Sequence, residues 1–208
     1  NAQQGVEVGT QAFARRAEDI KFPMILAVNQ LDAEKADWDV VQASLKENFG
    51  GKIINVQFPV NAGTGFDGFV DVLMNKYYHF KDANGTREDL EIPAEYAAMA
   101  EEYRQALIEK AAEYDDALME KFFEVGELTE DEIRAGLAKG IKDAQVYPVF
   151  CVSAKKDIGV KRLLEFTKNV CPVPDNKEDG PASLFIYKND VEPHLGEVSY
   201  FKVMSGTI

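Results

Sequence analysis

Two short polar segments contain side chains that can recognise a flat heterocyclic base by hydrogen bonding. They are Asn29-Gln30-Leu31-Asp32 and Ser153-Ala154-Lys155. Guanine presents its N1–H and its 2-amino group side by side, so that one carboxylate, here that of Asp32, can accept both hydrogen bonds. Adenine has an acceptor at N1 and no 2-amino group, and leaving the carboxylate badly paired costs about 1–3 kcal/mol. These residue types are therefore compatible with selective guanine binding.

The other polar groups of the two segments have supporting roles in this interpretation. Asn29 either ties its loop to neighbouring backbone or hydrogen-bonds the base, and the methylenes of Gln30 can lie against the ring face. The backbone N–H of Ala154 is the best candidate donor to the guanine O6 atom. Ser153 can brace its turn by bonding nearby polar groups. Each motif alone is also typical of an ordinary turn, because both patterns are common by chance.

The position of the two motifs strengthens the guanine interpretation. Each follows an apolar run that reads as a buried strand of a parallel sheet, over residues 22–28 and 147–152. In doubly wound sheets, ligands bind at the carboxyl ends of the strands. We therefore expect the two loops to meet at one edge of a sheet.

Apolar periodicity predicts the elements around the loops. Helices are expected over 6–19, 37–49 and 160–170, and a long helix beginning at Pro93 carries an apolar stripe as far as Phe122. Thr129-Glu130-Asp131-Glu132 is a capping box that opens a further helix. The predicted strands cover residues 53–60 and, after a Gly-rich turn over 61–65, residues 69–78, which together form an antiparallel pair.

These elements predict an α/β fold with an insertion. Residues 1–56 and 145–175 would form one partial parallel sheet with its helices, and residues 57–144 an inserted α+β subdomain. A charged linker over 175–181 precedes the alternating strands 182–187 and 197–203, so that 182–208 reads as the start of an all-β domain. Asn1 is not a methionine and Ile208 closely follows a strand-like run, so we expect a part of a longer polypeptide.

Composition and charge exclude several classes of protein. The 208 residues are 46% hydrophobic and 28% charged, which is typical of a globular chain, and no apolar run is long enough to span a membrane. The net charge is -13, and the segment 87–132 contains 16 acidic and 4 basic residues. That segment is a poor candidate for nucleic-acid contact and reads either as a solvated helical face or as a surface for a basic partner. The two cysteines make no disulfide framework and favour a reducing, cytoplasmic location.

No complete catalytic constellation is visible in the sequence. It contains no Gly-x-x-x-x-Gly-Lys-Ser/Thr phosphate loop. Asp82-Ala83-Asn84-Gly85 reads as a turn rather than a metal site. His79 and His194 have no nucleophile pattern near them, and Ser153 has no evident catalytic partner.

Taken together, the motifs resemble bacterial elongation factor G, a ribosome-associated GTPase, over almost the whole chain. Asn29-Gln-Leu-Asp32 resembles the guanine-specificity motif, usually Asn-Lys-x-Asp, and Ser153-Ala-Lys155 resembles the second guanine loop. The start of the chain, Asn1–Glu7, resembles the helix entry after the second switch region. The segments Phe66–Leu73 and Ile92–Tyr96 resemble the family's inserted subdomain, and Gly196–Thr207 resembles the opening of its β-barrel domain.

The resemblance implies a partial P-loop-GTPase-type sheet with an inserted α+β subdomain, followed by the first strands of a β-barrel domain. It implies GTP or GDP as ligand, bound through Asn29, Gln30, Asp32, Ser153, Ala154 and Lys155. Mg²⁺ would be needed by the full-length parent, with its ligands outside this segment. The parent would hydrolyse GTP to drive movement of tRNA and mRNA on the ribosome, and this segment alone would be inactive. The acidic insert would meet the ribosomal stalk protein.

One departure from the family pattern leaves alternatives open. Gln30 stands where the family has lysine, so that part of the ring stacking is kept and the charge is lost. A divergent paralogue that recycles ribosomes, or a non-hydrolysing ribosome-protection factor, therefore remains an alternative to an elongation factor. A stand-alone acidic interaction module is a third.

Overall fold

The computed structural model describes residues 1–81, 85–173 and 179–208. The turn predicted at Asp82-Ala83-Asn84 and most of the linker predicted over 175–181 lie outside these ranges. The chain divides into two compact units, Asn1–Pro172 and Val173–Ile208. The helices and strands follow in this order: α1 (Val8–Asp19), β1 (Leu26–Val28), α2 (Trp38–Phe49), β2 (Ile53–Asn55), β3 (Gln57–Pro59), β4 (Gly68–Asp71), β5 (Lys76–Phe80), β6 (Arg87–Leu90), α3 (Ala97–Ala112), α4 (Asp116–Val125), α5 (Glu130–Lys142), β7 (Tyr147–Cys151), α6 (Val160–Val170), β8 (Ser183–Glu192) and β9 (Gly196–Ser205).

A parallel sheet with the order β1-β7-β2 forms the centre of the first unit. Strand β7 is buried at every position, as its uninterrupted apolar run predicts. Strand β1 departs from the prediction of burial on both faces, because Ala27 is exposed and Leu26 is only partly buried. The reason is its place in the sheet, since within the described ranges β1 is an outer strand whose one neighbour is β7.

An antiparallel sheet, β3-β4-β5-β6, contains the strands of the predicted insert. The single strand predicted over 53–60 is divided at Val56, whose N–H bonds Val149 O at 3.1 Å and whose carbonyl accepts from Val72 N at 3.0 Å. The strand predicted over 69–78 is likewise divided into the β4–β5 hairpin, where Asn75 adopts a left-handed φ of 51°. The predicted antiparallel pairing of the two runs is present between β3 and β4.

The helix predicted from Pro93 to Phe122 is broken in two. Asp115 adopts an extended conformation and its carboxylate accepts hydrogen bonds from Ala117 N and Leu118 N, so that it caps the start of α4. An aspartate that satisfies two helix-end amides stabilises a new N-terminus there, and the apolar stripe therefore continues on a second helix.

One hydrophobic core joins the insert to the parallel sheet. It contains Val56 and Phe58 from the sheet junction, Leu107 and Ile133 from the helices of the insert, and Phe150 from β7. Helices α3 and α5 approach so closely that a Cβ added to Gly136 would lie 2.1 Å from Ala111 O. The fold of the first unit thus depends on packing between the insert and the sheet.

The capping box that opens α5 is confirmed and yields a prediction about pH. Glu132 accepts bonds from Lys121 Nζ at 2.6 and 2.8 Å and from Thr129 N at 2.8 Å. The pKa of Glu132 is lowered to about 2, chiefly by the Lys121 ammonium and to a smaller extent by the hydrogen-bond donors of Thr129. Because folding lowers the pKa of Glu132, its carboxylate stabilises the folded state at pH values above its ordinary pKa of 4.5. This stabilisation is lost as the pH falls towards about 2.

We therefore expect the Glu132→Gln variant to unfold at a lower urea concentration at pH 7 and to lose less stability between pH 4.5 and 2 than the wild type. Urea midpoints measured across this pH range test the expectation. Glu127→Gln, an exposed change of the same type just before α5, is the control. Superimposable pH profiles for Glu132→Gln and the wild type would contradict it.

The second unit is an antiparallel ribbon of β8 and β9, which are longer than the predicted strands. Many of its large apolar side chains are exposed, among them Phe185, Tyr187 and Phe201. That this ribbon begins a β-barrel domain stays a prediction. Among the described residues, no helix combines the length and the hydrophobicity that crossing a bilayer requires.

Candidate functional site

The first polar loop begins directly after β1. Asn29 Oδ1 accepts a hydrogen bond from Gln30 N at 2.8 Å, and Gln30 adopts a left-handed φ of 65° that leaves its side chain exposed. Leu31 is completely buried, and its carbonyl accepts from Gly63 N at 2.8 Å. A buried leucine between exposed and half-buried polar residues anchors the loop, so that Asp32 is held at a defined place.

The second loop leaves the neighbouring strand β7 and closes on itself. Ser153 N and Ile158 O, and Ile158 N and Ser153 O, are both 3.0 Å apart, so that residues 153–158 form a short closed loop. Ser153 is completely buried and its Oγ accepts from Lys156 N at 3.3 Å. Ala154 and Lys155 are exposed at the tip of the loop.

Two hydrogen bonds join the loops although more than 120 residues separate them in sequence. Ser153 Oγ donates to Asp32 Oδ1 at 2.8 Å, and Ala154 N donates to Asn29 Oδ1 at 3.0 Å. The pairing of Val28 with Cys151 brings about this meeting, because both parallel strands end at the same edge of the sheet. Asn29, Asp32, Ser153 and Ala154 thus lie together.

The meeting point contains the carboxylate and the backbone N–H that the sequence analysis expects to contact a guanine. Asp32 is half-buried, and each oxygen of a carboxylate has about two lone-pair sites, so that its bond from Ser153 leaves room for two donors from a base. The Ala154 N–H is already used by Asn29, and a base oxygen would share it in a three-centre bond. Asn29 thus ties one loop to the other, which is one of the two roles expected for it.

The remaining candidate residues have a different setting. The side chains of Gln30 and Lys155 are exposed, and Lys156, which the motif analysis passed over, reaches Phe66 O of the insert with its Nζ at 3.3 Å. Two residues of the predicted insert therefore contact the loops. Gly63 bonds the first loop through Leu31 O, and Phe66 O bonds the second loop through Lys156 Nζ.

A buried polar cluster behind the second loop escaped the sequence analysis. Gln57, Asp71 and Arg162, here called the Asp71 cluster, are almost completely buried and hydrogen-bonded to one another. The available signal was weak, consisting of an aspartate inside the apolar run Phe69–Leu73 and an arginine four residues before Phe166 on the buried face of α6. Leu164 of the same helix, an apolar residue, is by contrast 64% exposed.

Other reactive side chains in the described ranges are poorly placed for chemistry. Burial, with a contribution from the Asp71 carboxylate, raises the pKa of the Cys151 thiol well above its usual value, so that it stays protonated. No group of three His, Cys, Asp or Glu residues suited to a metal ion occurs in the parts of the chain that the structure describes.

Comparison with known proteins agrees with this geometry. Residues 1–173 match the family described as the elongation factor Tu GTP binding domain. The structure also superposes with a crystal structure of a protein from Thermus thermophilus at a TM-score of 0.86 and 30% sequence identity. The match covers 99% of this chain and 31% of that chain, so this chain spans about a third of the related protein's length. With more than four-fifths of its length matched, the chain belongs to the elongation factor Tu GTP-binding domain family, a family of translation-factor GTPases.

Proposed function

We propose that this chain carries the guanine-recognition half of the nucleotide site of a ribosome-associated translation elongation factor, which uses GTP hydrolysis to drive tRNA and mRNA translocation. The observation that carries the proposal is the pair of hydrogen bonds that bring Asp32 to Ser153 and Asn29 to Ala154. Family membership supports GTP and GDP as the ligands.

Recognition in this proposal divides between the two loops. The carboxylate of Asp32 accepts the N1–H and the 2-amino group of guanine, while the Ser153 hydroxyl fixes its orientation through Oδ1. The Ala154 N–H donates to the guanine O6, sharing its proton with Asn29 Oδ1. Adenine offers neither donor to Asp32 and no oxygen to Ala154, so that it is rejected by unsatisfied polar groups.

The chain's own residues account for base selection and leave phosphate chemistry to other segments. GTP would be the substrate and Mg²⁺ would neutralise phosphate charge during hydrolysis, and the sequence contains no Gly-x-x-x-x-Gly-Lys-Ser/Thr loop that would hold them. We therefore assign to this chain the selection of guanine and propose that it does not hydrolyse GTP by itself.

The proposed partner is the ribosome. In this proposal the acidic insert of the chain contacts the ribosomal stalk protein. Helix α4 supports this role, because Asp116, Glu120 and Glu124 recur on one face and are exposed. A basic partner surface would be attracted to such a face.

The replacement of the family's lysine by Gln30 favours a second candidate function, that of a divergent paralogue that recycles or protects ribosomes.

Nucleotide titration monitored by amide NMR tests the proposal. GDP added to the ¹⁵N-labelled chain is expected to shift the resonances of Gln30, Asp32 and Ala154, whereas ADP at the same concentration is expected to leave them in place. Base contacts alone give weak binding, so millimolar concentrations are appropriate. Equal shifts with both nucleotides, or no shift with GDP, would refute guanine recognition by these loops.

A further inference from the structure

The Asp71 cluster links the antiparallel sheet of the insert to helix α6 through a buried ion pair. Arg162 Nε donates to Asp71 Oδ2 at 2.7 Å, and Arg162 Nη2 lies 3.4 Å from Oδ1. Gln57 Nε2 donates to the same Oδ2 at 3.0 Å. Burial alone would lower the pKa of Arg162, but the Asp71 carboxylate, with further contributions from Tyr78 and Glu165, raises that pKa above its usual value, so that the guanidinium stays charged.

The cluster holds the strand that leads into the second guanine loop. Cys151 N, at the end of β7, donates to Gln57 Oε1 at 3.0 Å. Strand β2 pairs with β7 only as far as Asn55 and Val149, so the side-chain amide of Gln57 takes the place of a backbone acceptor on that side. On the other side, β1 pairs with β7 up to Val28 and Cys151. The last residue of β7 is thus held from both directions, two positions before Ser153.

The cluster also holds the helix that follows the loop. The loop closes at Ile158, Gly159 adopts a φ of 79°, and α6 begins at Val160, so that Arg162 lies in its first turn. A Cβ on Gly159 would approach Cys151 O to 2.2 Å, which shows how tightly the exit of the loop packs on the entering strand. Asp71 therefore reaches the entry of the loop through Gln57 and its exit through Arg162.

We propose that Gln57, Asp71 and Arg162 are positioning residues that set the place of the Ala154 N–H, and thereby the contact of the second loop with the guanine O6. The proposal rests on the function proposed above. If the cluster only stabilised the fold, a substitution in it would lower the stability of the whole unit evenly. If the cluster positions the loop, a substitution in it changes the Ser153–Ile158 loop beyond any change in global stability, because the contacts of the cluster converge on the two ends of that loop.

Amide hydrogen exchange in the nucleotide-free chain tests the positioning. In Gln57→Met, which removes the acceptor for Cys151 N–H and keeps the Asp71–Arg162 pair, exchange at Cys151 and Ala154 is expected to accelerate at least tenfold. The matched control is Gln42→Met, because Gln42 also exchanges two side-chain hydrogen bonds, with Asn55, at a distance from the loop. Unfolding in urea, measured for both variants, separates a local from a global effect. Unchanged protection of Ala154 in Gln57→Met would overturn the proposal.

A second variant acts on the other end of the loop and keeps the test decisive if Gln57→Met does not fold. Arg162→Lys retains the buried positive charge opposite Asp71 but loses the two-pronged contact of the guanidinium. Its expected effect is faster exchange at Ile158 and Ala154, with Cys151 less affected. Uniform acceleration over all amides of the unit would show a general loss of stability and would overturn the proposal.

The base contact itself is measured with GDP and 6-thio-GDP, since sulfur at position 6 is a weaker hydrogen-bond acceptor than oxygen. The preference of the wild type for GDP is expected to fall at least threefold in Gln57→Met and to persist in Gln42→Met. A changed Ala154 exchange rate with an unchanged preference would overturn the link to O6. Failure of the wild type to bind GDP would refute the proposed function instead, while the exchange data would still decide whether the cluster positions the loop.

Discussion

Replacement of Asp32 by asparagine is expected to reverse the base preference of the site from guanine to xanthine. Xanthine keeps the N1–H but has a carbonyl oxygen where guanine has the 2-amino group. The Ser153 hydroxyl donates to Oδ1 of residue 32, which favours the amide orientation with oxygen at that place and nitrogen at the other. The new amide then donates to the xanthine oxygen, whereas it would meet the guanine amino group donor to donor.

The size of this change follows from the hydrogen bond between the carboxylate and the guanine 2-amino group, which is lost. A bond to a charged group contributes about 1.5–3 kcal/mol, which corresponds to a loss of roughly 10- to 150-fold in GDP affinity. The amide shifts of the second loop, followed by NMR during titration of the wild type and of Asp32→Asn with GDP and with XDP at millimolar concentrations, give the relative affinities. Asp157→Asn, the same change at an exposed position of the second loop, is the control. GDP binding of wild-type strength in Asp32→Asn would contradict the assignment of Asp32.

Replacement of Gly136 by alanine is expected to cause a large loss of stability without any change in charge or polarity. The added methyl would lie 2.1 Å from Ala111 O and 2.8 Å from Ala111 C, which are backbone atoms of the facing helix α3. Overpacking against side chains costs about 1–3 kcal/mol, and backbone has less freedom to move aside. We expect at least about 2 kcal/mol less free energy of unfolding.

The matched control for this prediction is Gly9→Ala in helix α1. Apart from its chain neighbours and the backbone of its own helix, no heavy atom of the described residues lies within 4 Å of a Cβ at Gly9, so the alanine meets open space. Alanine exceeds glycine in helix propensity by up to about 1 kcal/mol, so this variant is expected to be neutral or more stable. Urea unfolding of both variants provides the comparison. A Gly136→Ala variant as stable as the wild type would show that α3 and α5 are not in tight contact.

The sequence permitted a good prediction of those elements that local chemistry determines. The capping box at Thr129 and the buried strand β7 were found because side-chain hydrogen bonding and apolar runs are local signals. The α/β class with an insertion is likewise confirmed. The two polar loops were predicted to meet at one sheet edge because each follows a strand of the parallel sheet. In the structure two long-range hydrogen bonds join these loops.

Features that depend on tertiary contacts were missed, and so was one local feature. The end of the long helix at Asp115 was missed although its cap is local, because the apolar stripe continues in phase on α4. Arg162 gave only a weak signal because an arginine on a helix is usually solvated, and the carboxylate of Asp71, 91 residues away, explains its burial. The division of residues 53–60 between two sheets is equally invisible in an alternating strand pattern, since both halves are extended.

The direct passage of the chain from β2 to β3 through Val56 has a consequence for domain engineering. We expect that the predicted insert, residues 57–144, cannot be excised without damage to the rest of the first unit. Joining Val56 to Gln145 would remove Phe58, Leu107 and Ile133 from the core that covers Phe150, and would delete the acceptor of the Cys151 amide. A shortened chain designed to keep the proposed guanine site must therefore retain these residues of the predicted insert.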